Sequence, residues 1–168
     1  MYDADRIQHA ELSQRYRSGA NWFYWIAGLT LITSIIGLLG GGWRFFLSLG
    51  TTQLIDAIAA AASEGLGNAT KVVALVLDIF ITAAFVAFGA LAHKKLLWAY
   101  ILGMVVFLFD GLISLLILDW IGIIVHALVL FWMFRGYQSG RALVSLERAM
   151  AQAAAAQVTA EPVAQPTY

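Results

Sequence analysis

Residues 96–118 read LLWAYILGMVVFLFDGLISLLIL, and residues 119–136 read DWIGIIVHALVLFWMFRG. Only Asp119 and Trp120 separate the two apolar runs. Each run is close to the roughly 20 residues an α-helix needs to cross the hydrocarbon core of a bilayer. Asp110 interrupts the first run and His126 the second. An ionisable side chain is costly in such surroundings, so its presence marks a candidate functional site.

The totals agree with that reading. Of 168 residues, 61% are hydrophobic and 12% charged, with a mean hydropathy of +0.81. A soluble domain has about 45–50% apolar and about 25% charged residues. The formal net charge is zero, so no global field argues for nucleic acid as a partner. The chain has no cysteine, which excludes a disulfide framework, a thiolate metal site and a redox dithiol. No motif implies a cofactor.

Working outward, two further spans appear. Span 1 is expected over about 22–40 and opens on Trp22, Phe23, Tyr24 and Trp25, an aromatic belt. It is too long for a signal-peptide core and lacks a small-residue exit. Ala27, Thr30, Ser34, Gly37 and Gly41 share one stripe, and small residues let a neighbouring helix approach closely. Span 2 is expected over about 71–92, span 3 over 96–118 and span 4 over 120–136. Residues 1–20 read as a separate short helix interrupted at Ser18-Gly19, with Asn21 as the next N-cap. The external connector, 41–70, holds an amphipathic surface helix on which Leu54, Ile55, Ile58 and Ala62 share a face. Asn68 or Thr70 caps span 2, a simpler role than glycosylation for the Asn68-Ala69-Thr70 triplet. Residues 138–157 extend span 4 as a helix, and 158–168, with Pro162 and Pro166, read as a disordered tail. The membrane domain is thus 21–137, and the fold an all-α, up-down-up-down bundle of four transmembrane helices.

Lys and Arg orient it. With the N-terminus inside, the inner side carries Arg6, Arg15, Arg17, Lys94, Lys95, Arg135, Arg141 and Arg148, and the outer side only Arg44 and Lys71. Both termini are expected in the cytoplasm, and the composition fits a bacterial inner membrane. Arg135 sits at the inner boundary as a snorkelling anchor.

At a rise of 1.5 Å per residue, Ser34, Asp78, Asp110 and His126 fall on one level, roughly 9–14 Å below the outer surface. Thr82 is four residues from Asp78, and Ser114 four from Asp110, so each carboxyl is expected to have a hydroxyl on its own helix face. Two carboxylates in low dielectric do not both ionise without a cation between them. One shared proton, or one carboxylate paired with imidazolium, is the expected state. Three uses follow for Asp78, Asp110, His126, Thr82, Ser114 and Ser34: a hydrogen-bonded clasp between helices, a proton or cation relay, and, from Asp78, Asp110 and His126 alone, three ligands for a divalent metal. A relay would have to bypass Phe85, Phe88, Met104, Phe131 and Met133. No Ser–His pair suits an intramembrane hydrolase, and span 1 lacks the acid expected of a small multidrug exporter. The GxxxG matches at Gly37–Gly41 and Gly136–Gly140 lie at expected helix ends, which favours capping over dimerisation.

The stretches Asp110-Gly111, Asp119-Trp120-Ile121, His126 and Phe134-Arg135-Gly136, with residues 49–56 (LGTTQLID), resemble uncharacterised small bacterial four-span integral membrane proteins over about residues 20–142. The resemblance implies a fold and no activity. The reading that follows is a non-enzymatic accessory or scaffold subunit, in contact with lipid and with a membrane-protein partner or further copies of itself. The alternative is a small proton- or cation-coupled transporter using the Asp–Asp–His layer.

Overall fold

A computed structural model describes residues 2–38, 69–116 and 118–160. Among them there is no strand, and four helices follow one another: α1 (Tyr2–Leu38), α2 (Ala69–His93), α3 (Leu97–Leu116) and α4 (Trp120–Ala160). All four are long and apolar enough to cross a membrane. The expected amphipathic helix of the connector and residues 161–168 lie outside the described residues.

The helices form a ring in which α1 packs on α2 and α4, and α3 packs on α4 and α2. The two short connections are built alike. Lys95 takes a positive φ of 61° after α2, with its N–H bonded to Ala92 O and the N–H of Leu96 to Leu91 O. Leu118 repeats the pattern after α3 at φ 56°, its N–H on Leu115 O and that of Asp119 on Ser114 O. Both are Schellman caps, which usually place glycine in the left-handed position. Asp119 then caps α4, its Oδ1 accepting the Gly122 N–H at 3.1 Å.

α1 departs from expectation. It runs unbroken for 37 residues, roughly 55 Å at 1.5 Å per residue. Ser18-Gly19 does not interrupt it, and Asn21 is inside the helix rather than at its cap. The reason is tertiary: Gly19 meets Gly136 of α4, and a Cβ built on either would lie 2.7 Å from the other's Cα. Tyr100 of α3 covers this crossing and donates its hydroxyl to Met133 O at 3.0 Å. One turn on, Tyr16 packs against Gly140 and donates to Ala92 O at the end of α2. Gly136 and Gly140 are therefore buried mid-helix packing residues, not caps. α4 continues past the expected end at 157 to Ala160, 41 residues in all. Thr70 lies within α2 rather than at its cap.

Beyond the α2–α3 turn, the first half of α1 and the last half of α4 lie side by side as a two-helix arm. Leu143 is buried between them, and the His9 ring meets Glu147. From Arg148 to Gln157 α4 is exposed all round. The Ala-rich composition sustains it there, since alanine has the highest helix propensity.

The core runs along the bundle axis as a chain of rings. Tyr16 contacts Tyr100 (5.6 Å between centroids), Tyr100 contacts Phe23 (5.3 Å), Phe23 contacts Phe85 (6.5 Å) and Phe85 contacts Phe107 (6.3 Å). Phe23 is thus a core residue, unlike Trp25 beside it, which is 65% exposed. Phe131 faces outward at 54% exposure and would not obstruct a central path, as had been expected.

Gly19→Ala is expected to destabilise the protein by about 1–3 kcal/mol, because the backbones cannot part without losing packing elsewhere. Gly28→Ala, whose Cβ meets nothing within 4 Å, is expected to be neutral or stabilising by about 0.5–1 kcal/mol. Denaturant unfolding in detergent micelles checks both, and equal effects would contradict the crossing.

Candidate functional site

α3 buries one stripe: Ala99, Tyr100, Gly103, Phe107, Asp110 and Ser114. The stripe aims Asp110 at α4, where His126 stands one turn after Gly122. His126 Nε2 is 2.7 Å from Asp110 Oδ2, with 7% and 4% of the two side chains exposed. Gly111 makes room for the ring, since a Cβ there would come within 3.2 Å of the His126 Cβ. Phe107 stacks on the imidazole at 4.6 Å and 19°.

The contacts count the protons. His126 Nδ1 is 2.7 Å from Gly122 O, and a carbonyl only accepts, so Nδ1 carries a hydrogen. The Nε2–Oδ2 contact then needs one more proton. Either Asp110 is a carboxylic acid donating to neutral His126, or imidazolium donates to carboxylate. In both states the pair holds two protons and is neutral overall, which suits an apolar surround.

Asp78 belongs to a second pairing, on the opposite side of the ring. The Ser34 hydroxyl of α1 is 2.7 Å from Asp78 Oδ2 of α2 and 3.0 Å from Thr30 O. The Ser34 hydroxyl either shares its proton between the two acceptors or, where Asp78 is protonated, accepts from the carboxyl and donates to Thr30 O. Ala27, Thr30 and Ser34 are buried, as the small-residue stripe of span 1 predicts; Gly41 lies outside the described residues.

Ser114 lies on the same buried stripe of α3 as Asp110. Ser114 is buried, but its hydroxyl is directed at Asp110 O, the backbone carbonyl one turn back, at 3.5 Å. Such back-bonding is the ordinary habit of Ser inside a helix. The buried Thr82 hydroxyl has no hydrogen-bond partner among the described residues. Nor do any three His, Asp or Glu among the described residues come together as a metal site, so Asp78, Asp110 and His126 are not brought together as a ligand set.

A third polar cluster escaped the sequence reading. Glu147 Oε1 accepts from Lys95 Nζ at 2.5 Å and meets His9 Nε2 at 3.0 Å. It ties α4 to both the α2–α3 turn and α1. Lys95 makes this contact from the left-handed position that ends α2. The Lys95 ammonium, and after it His9, hold the Glu147 carboxyl below its ordinary 4.5.

No protein family, curated protein or solved structure matches the chain. The resemblance to four-span membrane proteins gains no support from these comparisons.

Asp110→Asn keeps the shape, and its amide can donate to Nε2 of neutral His126, so it is expected to cost no more than about 1–2 kcal/mol. His126→Leu removes the imidazole from a buried carboxyl and is expected to cost more, up to about 3–5 kcal/mol. Unfolding in detergent compares them, and the reverse order would contradict the proton count. For Glu147 the folded-state value is depressed, so its contribution is full above the ordinary carboxylate range and lost as pH falls through the lower, folded-state value. The arm is expected to loosen below about pH 4.5, and Glu147→Gln to abolish that acid step. Spin-label distances between positions 6 and 150 follow it.

Proposed function

We propose that this chain is a multi-pass integral membrane protein, an up-down-up-down bundle with both termini in the cytoplasm of a bacterial cell, its spans in the inner membrane. In this reading it acts without catalysis, as an accessory or scaffold subunit. The bundle anchors the paired arm, and the arm and the apolar outer faces meet other membrane proteins or further copies of the chain. Several contacts support antiparallel neighbours: residue 9 meets 147 and 19 meets 136, while 34 meets 78 and 110 meets 126. The Lys and Arg distribution supports the orientation. Exposed Val72, Val76, Phe80, Leu112, Leu128 and Phe134 suit contact with lipid.

The observation that carries the non-transporting reading is the chain of rings. Phe107 lies on His126, and Phe85, Phe23, Tyr100 and Tyr16 continue from it along the axis to the end of the bundle where α2 turns into α3. Protons and cations need hydroxyls, carboxyls or water in sequence, and the packed rings of Phe107, Phe85 and Phe23 offer none; hydroxyls resume only at Tyr100 and Tyr16, where each is bonded to a backbone carbonyl. The Asp110–His126 pair favours the competing reading, a proton- or cation-coupled transporter.

Proteoliposomes separate the two. The scaffold reading expects a proton leak no greater than in empty liposomes, unchanged by Asp110→Asn. It also expects native mass spectra from the protein's own membrane to show a second subunit, lost on truncation after Glu147. Ion-coupled flux that vanishes in a folded Asp110→Asn variant overturns it.

A further inference from the structure

One face of α1 is hollowed into an open groove of about 450 Å³, lined by His9, Ser13, Gln14, Arg17, Ser18 and Asn21. Among the described residues its lining holds no carboxylate. Glu11 is occupied with Arg15, at 3.9 Å on another face, and Glu147 with Lys95. Among the described residues Arg17 forms no ion pair. Asn21 closes the groove, and its Oδ1 accepts from His93 Nε2 at 3.0 Å. That bond leaves the Asn21 amide N–H groups to point elsewhere, and it brings His93 and the adjacent Lys94 to the same end. The ring of Tyr24 stacks on His93 at 5.6 Å and 16°, holding it in place.

The position along α1 is informative. Arg17 and Asn21 precede the exposed Trp25 by eight and four residues, or roughly 12 and 6 Å along the axis. Tryptophan prefers the boundary between hydrocarbon and headgroups, and the headgroup layer is roughly 5–8 Å deep on each side. Asn21 therefore falls within the headgroup layer, and Arg17 stands just outside it, where a guanidinium on a flexible three-carbon stem turns back to the lipid phosphates. An acid-free pocket of guanidinium, amide and hydroxyl donors suits a phosphate anion, which Arg engages through two parallel N–H donors.

We propose that this groove binds the phosphate of an anionic phospholipid headgroup at its Asn21 end, with Arg17 as the principal ligand and the Asn21 amide as a supporting donor. The inference rests on the reading that the four helices cross a bilayer. A bound lipid there would seat α1 against the α2–α3 turn at the base of the arm.

The full-length protein in detergent is titrated with phosphatidylglycerol or phosphatidylcholine, and native mass spectra count the retained lipids. Phosphatidylglycerol is expected to be retained preferentially, with Arg17→Gln reducing the preference about fivefold, one basic residue's share of such attraction. Arg15→Gln, on the neighbouring face, is expected to leave it unchanged. Equal retention of the two lipids overturns the proposal, as does a preference that survives Arg17→Gln. Inorganic phosphate alone is the second probe: Arg17-dependent phosphate binding without lipid discrimination assigns the groove to a soluble anion and overturns the lipid. Tryptophan quenching by brominated acyl chains in bilayers separates the two levels of inference. No quenching overturns the membrane reading together with the groove's lipid, whereas quenching with equal lipid retention overturns the groove alone.

Discussion

The close approach of α1 and α4 at Gly19 and Gly136 governs the rest of the structure. Two helix axes come this near only where both backbones lack side chains, and the contact then gains dispersion energy over a long, flush interface. Once the two are together at that point, Tyr16 falls against Gly140, and His9 against Glu147. Tyr100 packs over the crossing with its hydroxyl on Met133 O. The arm is thus an extension of packing that begins inside the bundle. A break at Ser18-Gly19 would uncouple it, and for that reason a glycine that is unfavourable in an isolated helix is retained inside an unbroken one.

The polar groups obey a different constraint. In an apolar surround each must find its partner within the protein. Asp110 and His126 do so as a neutral, two-proton pair across α3 and α4, and Asp78 and Ser34 do so across α1 and α2. The two pairings sit on opposite sides of the ring of helices, each joining neighbours that the aromatic axis alone would leave free to slide. Hydrogen bonds of this kind contribute roughly 0.6–2 kcal/mol each. That is modest against total stability, but directional, so they set register where aliphatic contacts do not. Glu147 has the same role at the α2–α3 turn, with charge in place of burial.

How much of this was legible follows sequence distance and the kind of force involved. Asp110 and His126 are 16 residues apart across a short turn, and depth counting placed them at one level along with Asp78 and Ser34, without singling out their pairing. Ser34 and Asp78, 44 residues apart, were placed at one level but not as partners. His9 and Glu147, 138 apart, had no signal beyond lying on polar helical segments. The expected break at Ser18-Gly19 and the expected caps at Gly136 and Gly140 misread the same residues: local propensity treats glycine as a terminator, and the partner backbone that makes it a packing residue is more than a hundred positions away. Ser114 and Thr82 were expected on the helix faces of the two carboxyls, and Ser114 lies on that of Asp110. Its hydroxyl nonetheless turns to its own helix's carbonyl, which a short side chain reaches easily.

From sequence alone come the all-helical class, the four apolar helices and the short α2–α3 and α3–α4 connections, because hydropathy and chain length depend only on local composition. Which face of each helix turns inward was decided by tertiary structure, as were the joining of α1 and α4 into an arm and the assignment of each carboxyl to its partner. In segments that are apolar all round, the face against a neighbouring helix and the outward face have nearly the same hydropathy. Shape, volume and the reach of single hydrogen bonds choose between them, and those exist only once the helices have met.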